Sequence, residues 1–174
     1  MYLVFDFETT GISDNLNPIH TQRAIQLAWQ ELDTNTSPIA SKSYYISGNP
    51  HINTNFHTNL SVEFLDTHGS DVKSVLAEFM NDLKTVAEHS GVLVAHNIDF
   101  DFTVLTNELN YTDLQQDQQY QQLLGYFSHP ENKYCTMKRS VDFCKLPKHS
   151  NSVSYGSRKR QHLGYKWPRT CRII

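Results

Sequence analysis

Three runs near the start of the chain show the apolar patterning of strands. Residues 2–6 are mostly apolar, residues 23–32 alternate apolar with polar side chains, and residues 41–46 form a third short run. A period of two indicates a strand with one covered face, whereas a continuous apolar run indicates a strand buried on both faces. The runs are consecutive and separated by short polar segments, so the sequence predicts an antiparallel meander.

The spacing of apolar residues changes after residue 70. It becomes three to four residues, as in a helix with one buried face, over Val75, Leu76, Phe79, Leu83 and Val86. Ser70 or Asp71 is suited to cap the start of this helix, and Gly91 follows its end. The sequence therefore predicts a helix from about residue 71 to about residue 88.

The remaining pattern alternates between strand and helix. The apolar run 91–95 predicts a buried strand, Asp99 opens a helical pattern that continues through Leu109, and the glutamine-rich segment 114–124 predicts an exposed helix. A meander followed by alternating strands and helices predicts an α/β domain with a mixed sheet. With no internal repeat or linker, residues 1–174 are expected to form one domain, with a core of 1–142 and a basic, loop-rich tail of 143–174.

Composition indicates whether the protein is associated with a membrane and what state its cysteines are in. No apolar run approaches the roughly 20 residues that a membrane-spanning helix needs, and no signal peptide is recognised, so a membrane partner is not expected. Cys135, Cys144 and Cys171 are odd in number and lack CxxC spacing, which is typical of free thiols in a cytoplasmic protein. A zinc site is the alternative, although only the first two cysteines approach the required spacing.

Charge is distributed unevenly along the chain. The formal net charge is −3, yet residues 1–142 hold all 18 acidic side chains with 7 basic ones, and residues 143–174 hold 8 basic side chains and no acidic one. Basic residues interleaved with aromatic ones suit a strand of nucleic acid, while a solvated loop is the alternative interpretation of this tail. The acidic body does not exclude such a substrate, because carboxylates that hold divalent cations present positive charge to phosphate.

The first candidate for chemistry is the end of the first strand, FDFETTG at residues 5–11. Alternate side chains of a strand share a face, so Asp6 and Glu8 project together with α-carbons ~6 to 7 Å apart. Phe5 and Phe7 point the other way and are expected to anchor the strand in the core. Two carboxylates at this spacing can converge on one divalent cation, although acids at a strand end can also be merely solvated.

The second candidate follows the strand 91–95, in HNIDFD at residues 96–101. Asp101 falls in the first turn of the predicted helix, where the helix dipole favours a carboxylate. The alternative is that Asp99 caps the helix and Asp101 only complements the dipole. That alternative leaves unexplained why a His-Asn pair and an aspartate follow a second buried strand.

Together these two segments resemble the DnaQ-like (DEDDh) 3'-5' exonucleases, whose motifs read FDxETTG and HNxxFD. The resemblance extends to about residue 169 through further segments at residues 60–63, 135–138 and 164–168. It implies a ribonuclease H-like fold, a mixed β-sheet flanked by helices whose C-terminal part is incomplete here. It also implies a single-stranded 3' end of DNA or RNA as the substrate, while a polymerase or homodimer partner stays open.

The resemblance further implies roles for individual residues. Asp6, Glu8 and Asp101 are expected to be catalytic and to bind two Mg²⁺ or Mn²⁺ ions, whereas Asp99 is not expected to take that role. The residues expected to bind the substrate are Thr9, Thr10, Ile12, His96, Asn97 and Phe100. Two such ions can activate a water and neutralise the leaving 3'-oxygen of a phosphodiester.

The sequence departs from the family pattern at the third motif. No aspartate after Asp101 follows a His by five positions or a Tyr by four, so the general base is unknown. We interpret the segment after Pro168 as a truncation or frameshift and expect weak or absent nuclease activity. A non-catalytic nucleic-acid-binding module is the alternative to an exonuclease.

Overall fold

The computed structural model describes residues 1–11, 22–48 and 60–144. The predictions that fall on Ile12, on the motif-like segment 164–168 and on residues 145–174 of the basic tail lie outside the described residues. For residues 141–144 the structure describes the backbone alone.

Five strands form one mixed sheet in the described part of the chain. They are β1 (Tyr2–Thr9), β2 (Ala24–Leu32), β3 (Pro38–Tyr45), β4 (Val92–Ala95) and β5 (Lys133–Cys135), in the spatial order β3-β2-β1-β4-β5. The β1–β2 and β2–β3 pairs are antiparallel, which confirms the predicted meander. The β1–β4 and β4–β5 pairs are parallel, so the carboxyl ends of β1, β4 and β5 lie at the same edge.

Five α-helices accompany this sheet in the described residues. They are α1 (Val62–His68), α2 (Val72–Glu88), α3 (Ile98–Tyr111), α4 (Gln118–Ser128) and α5 (Thr136–Cys144), with short 3₁₀ turns at Leu114–Gln116 and Pro130–Asn132. The Asp71 carboxylate accepts the backbone N–H of Ser74 at 2.9 Å, as the sequence predicted for a cap at the start of α2.

The glutamine-rich segment is not the single helix that the sequence predicted. It is divided at Asp117, which follows a 3₁₀ turn and caps α4 by accepting the backbone N–H of Gln119 at 2.8 Å. An aspartate side chain that accepts a backbone N–H two residues later in the sequence favours the start of a new helix at that point. It disfavours continuation of the preceding 3₁₀ turn. Leu123 and Phe127 then bury one side of α4 while its glutamines stay exposed.

The hydrophobic core lies between one face of the sheet and α2, α3 and α4. Phe5 of β1 and Trp29 of β2 pack on Phe79 of α2, with ring centroids 5.5 Å and 5.3 Å apart. The Trp29 indole N–H donates to the Asp82 carboxylate at 2.7 Å, which satisfies the one polar atom of that buried ring. These contacts hold β1 and β2 rigidly, and β1 carries two of the predicted site residues.

Gly91 allows α2 to turn directly into β4. A Cβ at this position would lie 2.6 Å from the Val86 side chain and 2.7 Å from the carbonyl oxygen of Met1, closer than real contacts allow. Only glycine permits this approach, which brings Val92 to donate to the Met1 carbonyl and start the β1–β4 pairing. The position of β4 beside β1 therefore depends on a residue without a side chain.

The described residues bear on two expectations from composition. Cys135 is a free, buried thiol, as predicted. Across the described ranges, no helix is long and apolar enough to cross a membrane.

Candidate active site

The outer end of β1 presents Asp6 and Glu8 on the face opposite the core. Phe5 and Phe7 are 2% and 5% exposed, whereas both carboxylates are exposed, so the predicted alternation is confirmed. Asp6 pairs across the sheet with Ala28 and Glu8 with Gln26. The two acids are thus held by a strand whose other side is anchored in the core.

The two carboxylates line a trough on the open face of the sheet. It has a volume of about 410 Å³, and its polar walls come from Gln26, Gln30, Ser41 and Ser43 of β2 and β3. Those walls are internally bonded, because Gln26 donates to Ser43 at 3.0 Å and Gln30 donates to Ser41 at 2.7 Å. The acids are therefore accessible from solvent on a pre-formed polar surface.

Asp101 reaches the same strand from the first turn of α3. β4 pairs with β1 only along Tyr2–Val4, so the remainder of that β1 edge has no ladder with β4. The Phe7 backbone N–H, located between Asp6 and Glu8, donates to Asp101 Oδ1 at 3.2 Å. Asp101 is 3% exposed, and it substitutes for the missing strand partner. This bond places the Asp101 carboxylate beside the segment of β1 that carries Asp6 and Glu8, whose charges act on it.

The electrostatics of these acids reflect that crowding. Burial, followed by the charge of Asp6, raises the pKa of Asp101 to about 7, and the hydrogen bond from Phe7 only partly opposes the rise. The pKa of Asp6 is raised to about 6, first because nearby protein atoms limit its hydration and then because of the charge of Glu8. Carboxylates that raise one another's pKa lack a compensating cation.

The donor chemistry suits a hard divalent ion, since carboxylate oxygens are the ligands that Mg²⁺ and Mn²⁺ prefer. No described lysine or arginine forms an ion pair with any of the three acids. Within the described ranges, however, no group of three or more His, Cys, Asp or Glu side chains is already arranged as an ion site. The acids fit the ion in kind and charge, but their side chains do not form a closed cage in this conformation.

The other predicted site residues divide into two groups around this edge. Thr9 donates through its hydroxyl to the Gly11 carbonyl at 2.7 Å, and the Thr10 hydroxyl accepts the backbone N–H of Arg23 at 3.2 Å. Both threonines therefore shape the end of β1 beside Glu8. Ile12 lies outside the described residues.

His96, Asn97 and Phe100 belong to the junction between β4 and α3. His96 Nδ1 lies 3.1 Å from the Thr136 hydroxyl, and Asn97 is the N-cap residue whose carbonyl accepts the N–H groups of Phe100 and Asp101. Phe100 is partly buried against the core. The alternative in which Asp99 caps α3 is wrong, because Asn97 occupies the cap and Asp99 forms an ion pair with Lys138 of α5.

Sequence reasoning missed a second buried acid on α3. Glu108 is fully buried, and Arg23 binds both of its oxygens, at 2.8 Å through Nε and at 3.0 Å through a terminal nitrogen. The Ala24 backbone N–H donates to the same carboxylate at 2.7 Å, and the Arg23 guanidinium lies 3.3 Å from the centre of the Tyr111 ring. The signal available in the sequence was an acid seven residues after Asp101, on the same face of a helix.

Comparison with solved structures identifies the fold. Exonuclease I of E. coli in complex with a dT13 oligonucleotide superposes with a TM-score of 0.64 at 14% identity, over 90% of this chain and 32% of that one. A complex of the same enzyme with a dA16 oligonucleotide gives 0.63 at 15% identity, over 90% and 32%. A complex of ExoI with SSB-Ct gives a TM-score of 0.61 at 14% identity, also over 90% of this chain and 32% of that one.

These likenesses show a ribonuclease H-like α/β fold, which confirms the predicted fold class. No protein-family model matches the chain, and no curated protein matches it by sequence. The chain spans about a third of the length of the exonuclease I chains that it resembles. At such low identity the similarity speaks for the fold alone.

Proposed function

We propose that this chain is a 3'-5' exonuclease domain that removes nucleotides from the 3' ends of DNA or RNA by metal-dependent hydrolysis. The observation that carries the proposal is the hydrogen bond from the Phe7 N–H to Asp101, since it joins Asp101 to the strand that bears Asp6 and Glu8. The fold shared with exonuclease I and the sequence likeness to two exonuclease motifs support the same conclusion.

In this proposal Asp6, Glu8 and Asp101 hold two Mg²⁺ or Mn²⁺ ions. When bound, such ions supply an activated water and neutralise the charge that develops on the leaving oxygen. Asp101 is oriented by the Phe7 N–H, and the strand that carries Asp6 and Glu8 is fixed by its buried phenylalanines. Thr9, Thr10, Ile12, His96, Asn97 and Phe100 would surround the terminal nucleotide.

We further propose that the 174-residue chain is a weak enzyme on its own. No aspartate after Asp101 is spaced from a His or Tyr as in the third motif of the family, so no general base is assigned. Loss of a positioned base costs roughly 10²–10⁴ in rate.

Calorimetric titration of Mn²⁺ into the wild-type protein and into Asp6→Ala tests the ion site without requiring turnover. We expect heat of binding for the wild type and its loss in the variant, while Glu88→Ala, on the exposed end of α2, serves as a matched acid-to-alanine control. A 3'-labelled strand incubated with Mn²⁺ then tests hydrolysis. Equal Mn²⁺ binding by the wild type and Asp6→Ala would contradict the proposal.

A non-catalytic nucleic-acid-binding module is the second candidate function. It is favoured by the absence of a ready three-acid ion site in the described ranges and by the basic residues that follow β5. Salt-sensitive binding of an oligonucleotide, with no product from a 3'-labelled strand at any Mn²⁺ concentration, would support this module over the exonuclease.

A further inference from the structure

Basic side chains are concentrated at one corner of the described molecule. The described ranges contain seven lysines and arginines, and three of them, Lys133, Lys138 and Arg139, fall within seven residues of sequence. They line a cavity of about 310 Å³ together with Tyr134 and with Ile98 and Asp99 of α3. We call this cavity the β5–α5 pocket.

The cations of this pocket are poorly neutralised. Lys138 forms an ion pair with Asp99, but no described carboxylate forms an ion pair with Lys133 or Arg139. By contrast, Arg23 and Lys42 elsewhere in the described chain are bound to buried or half-buried acids. Two cations without acidic partners beside a cavity indicate a site for an anionic ligand.

Aromatic rings accompany these cations. The Arg139 guanidinium lies 5.6 Å from the centre of the Tyr134 ring, and the Lys133 ammonium lies 5.3 Å from the centre of the Phe102 ring. Tyr134 is 43% exposed, so its ring is accessible from solvent. Cations that track phosphates and an exposed ring on which a base can stack are the two components of single-strand binding sites.

The β5–α5 pocket and the three acids lie on opposite sides of the first turn of α3. Asp99 and Asp101 are two residues apart, so they project from nearly opposite sides of α3. Asp101 contacts β1, and Asp99 contacts α5 at the pocket. The distance across a helix is about 10–12 Å, which corresponds to roughly three stacked nucleotides at 3.4 Å each.

We propose that the β5–α5 pocket binds the phosphodiester backbone and one base of a single-stranded nucleic acid whose 3' end lies at the three carboxylates. This inference rests on the proposed function for its direction along the strand. The chain continues from α5 into residues 145–174, which carry eight basic and no acidic side chains. The excess of positive charge at the pocket therefore continues in the sequence that follows it.

The test is binding of a fluorescein-labelled oligothymidylate to the full chain, measured by fluorescence anisotropy in EDTA over a range of salt concentrations. EDTA prevents hydrolysis, so failure of the exonuclease proposal would not affect the result. The double variant Lys133→Gln/Arg139→Gln is expected to bind roughly tenfold more weakly and to lower the slope of log affinity against log salt by about 1.4, or about 0.7 per phosphate contact. Lys73→Gln/Lys84→Gln, with the same charge change on α2, is the matched control.

Two single variants distinguish the components of the site. Asp99→Asn releases Lys138 from its ion pair and is expected to tighten binding, whereas Tyr134→Ala removes the stacking ring and is expected to weaken binding roughly tenfold with little change in salt slope. If the double glutamine variant is poorly folded, Lys133→Gln and Arg139→Gln are measured separately, and each is expected to bind roughly threefold more weakly with a salt slope lower by about 0.7. Wild-type affinity in both single variants would overturn the inference.

Three outcomes would overturn the inference. The first is equal affinity for the pocket double variant and the α2 control. The second is looser binding by Asp99→Asn. The third is polyglutamate competing as effectively as oligothymidylate, since an acidic polypeptide would then be the ligand.

Discussion

Two buried carboxylates on α3 have the same architecture and opposite electrostatics. Asp101 and Glu108 lie seven residues apart, and each accepts a backbone N–H from the sheet, from Phe7 of β1 and from Ala24 of β2. Glu108 is neutralised by Arg23, whereas no described cation pairs with Asp101, whose pKa is raised to about 7. Glu108 therefore has the cationic partner that a structural role requires. Asp101 has no such partner among the described residues and is available to bind a cation.

The largest expected effect comes from breaking the neutralised acid. Glu108→Ala leaves the Arg23 guanidinium and the Ala24 N–H without their shared acceptor, so we expect a loss of about 3 kcal/mol in the free energy of unfolding. Urea denaturation measures this loss. Glu88→Ala removes an exposed acid from α2 and is expected to change stability by less than about 0.5 kcal/mol. Similar values for the two variants would show that Glu108 is not a structural anchor.

Asp101→Asn is expected to raise the free energy of unfolding in the metal-free protein. The amide oxygen still accepts the Phe7 N–H, but the cost of burying a charge and the repulsion from Asp6 both disappear. A pKa raised by about three units sets an upper limit of about 4 kcal/mol, at about 1.4 kcal/mol per unit, and we expect about half of it, a rise in stability of about 2 kcal/mol at pH 8. A raised pKa gives stability that is complete below the unfolded value near 4 and is lost as pH rises through about 7. The advantage of the variant should therefore vanish at about pH 4.

Urea denaturation in EDTA at a series of pH values measures this difference. In buffer without EDTA, Mn²⁺ at pH 8 should stabilise the wild type and stabilise Asp101→Asn much less, because the variant lacks one of the three carboxylate ligands. A variant that is less stable than the wild type at every pH would show that the Asp101 carboxylate is needed for packing.

Mn²⁺ affinity should follow the same pKa values. Because Asp6 and Asp101 must lose protons to act as ligands, we expect the affinity to fall by up to about tenfold per pH unit between about 7 and about 6, where only Asp101 is protonated. Below about 6 both acids are protonated, and the fall should reach up to about a hundredfold per pH unit. Calorimetric titration between pH 5 and about 8 measures this dependence, and proton release should accompany binding near pH 6. Affinity independent of pH over this range would contradict the assignment of these two acids as ligands.

The contrast between the two acids also marks how much the sequence could predict. The alternation FDFE predicted that Phe5 and Phe7 are buried and that Asp6 and Glu8 share the open face, and the structure confirms it. Local patterns of this kind carry their own geometry, because the side-chain period of a strand is two. The meander was predictable for the same reason, and the long helix α2 was predictable because its apolar residues recur every three to four positions.

What could not be predicted depends on contacts between distant residues. β5 has three residues and no pattern of its own, and it exists because Leu93–Ala95 of β4 offers a parallel partner. The bond between Arg23 and Glu108 joins residues 85 apart. The spacing of Glu108 from Asp101 on α3 indicates that Glu108 shares its face, but it does not indicate Arg23 as the partner. The division of the glutamine-rich segment at Asp117 was readable in principle, since aspartate is a strong N-cap residue.

The smallest expected effect concerns the ring that covers the neutralised pair. Tyr111 is 67% exposed, yet its ring lies 3.3 Å from the Arg23 guanidinium carbon, which places a polarisable surface against a charge already bound to Glu108. Tyr111→Leu should lower the free energy of unfolding by about 0.5–1 kcal/mol, and Tyr111→Phe, which retains the ring face, should cost less. Because the ring acts only through Arg23, Tyr111→Leu should have no effect once Arg23 is replaced by methionine, and a double-mutant cycle from urea denaturation measures that coupling. If Tyr111→Leu costs as much in the Arg23→Met background, the ring stabilises α3 by packing alone, and the neutralisation of Glu108 rests on hydrogen bonds without help from the aromatic surface.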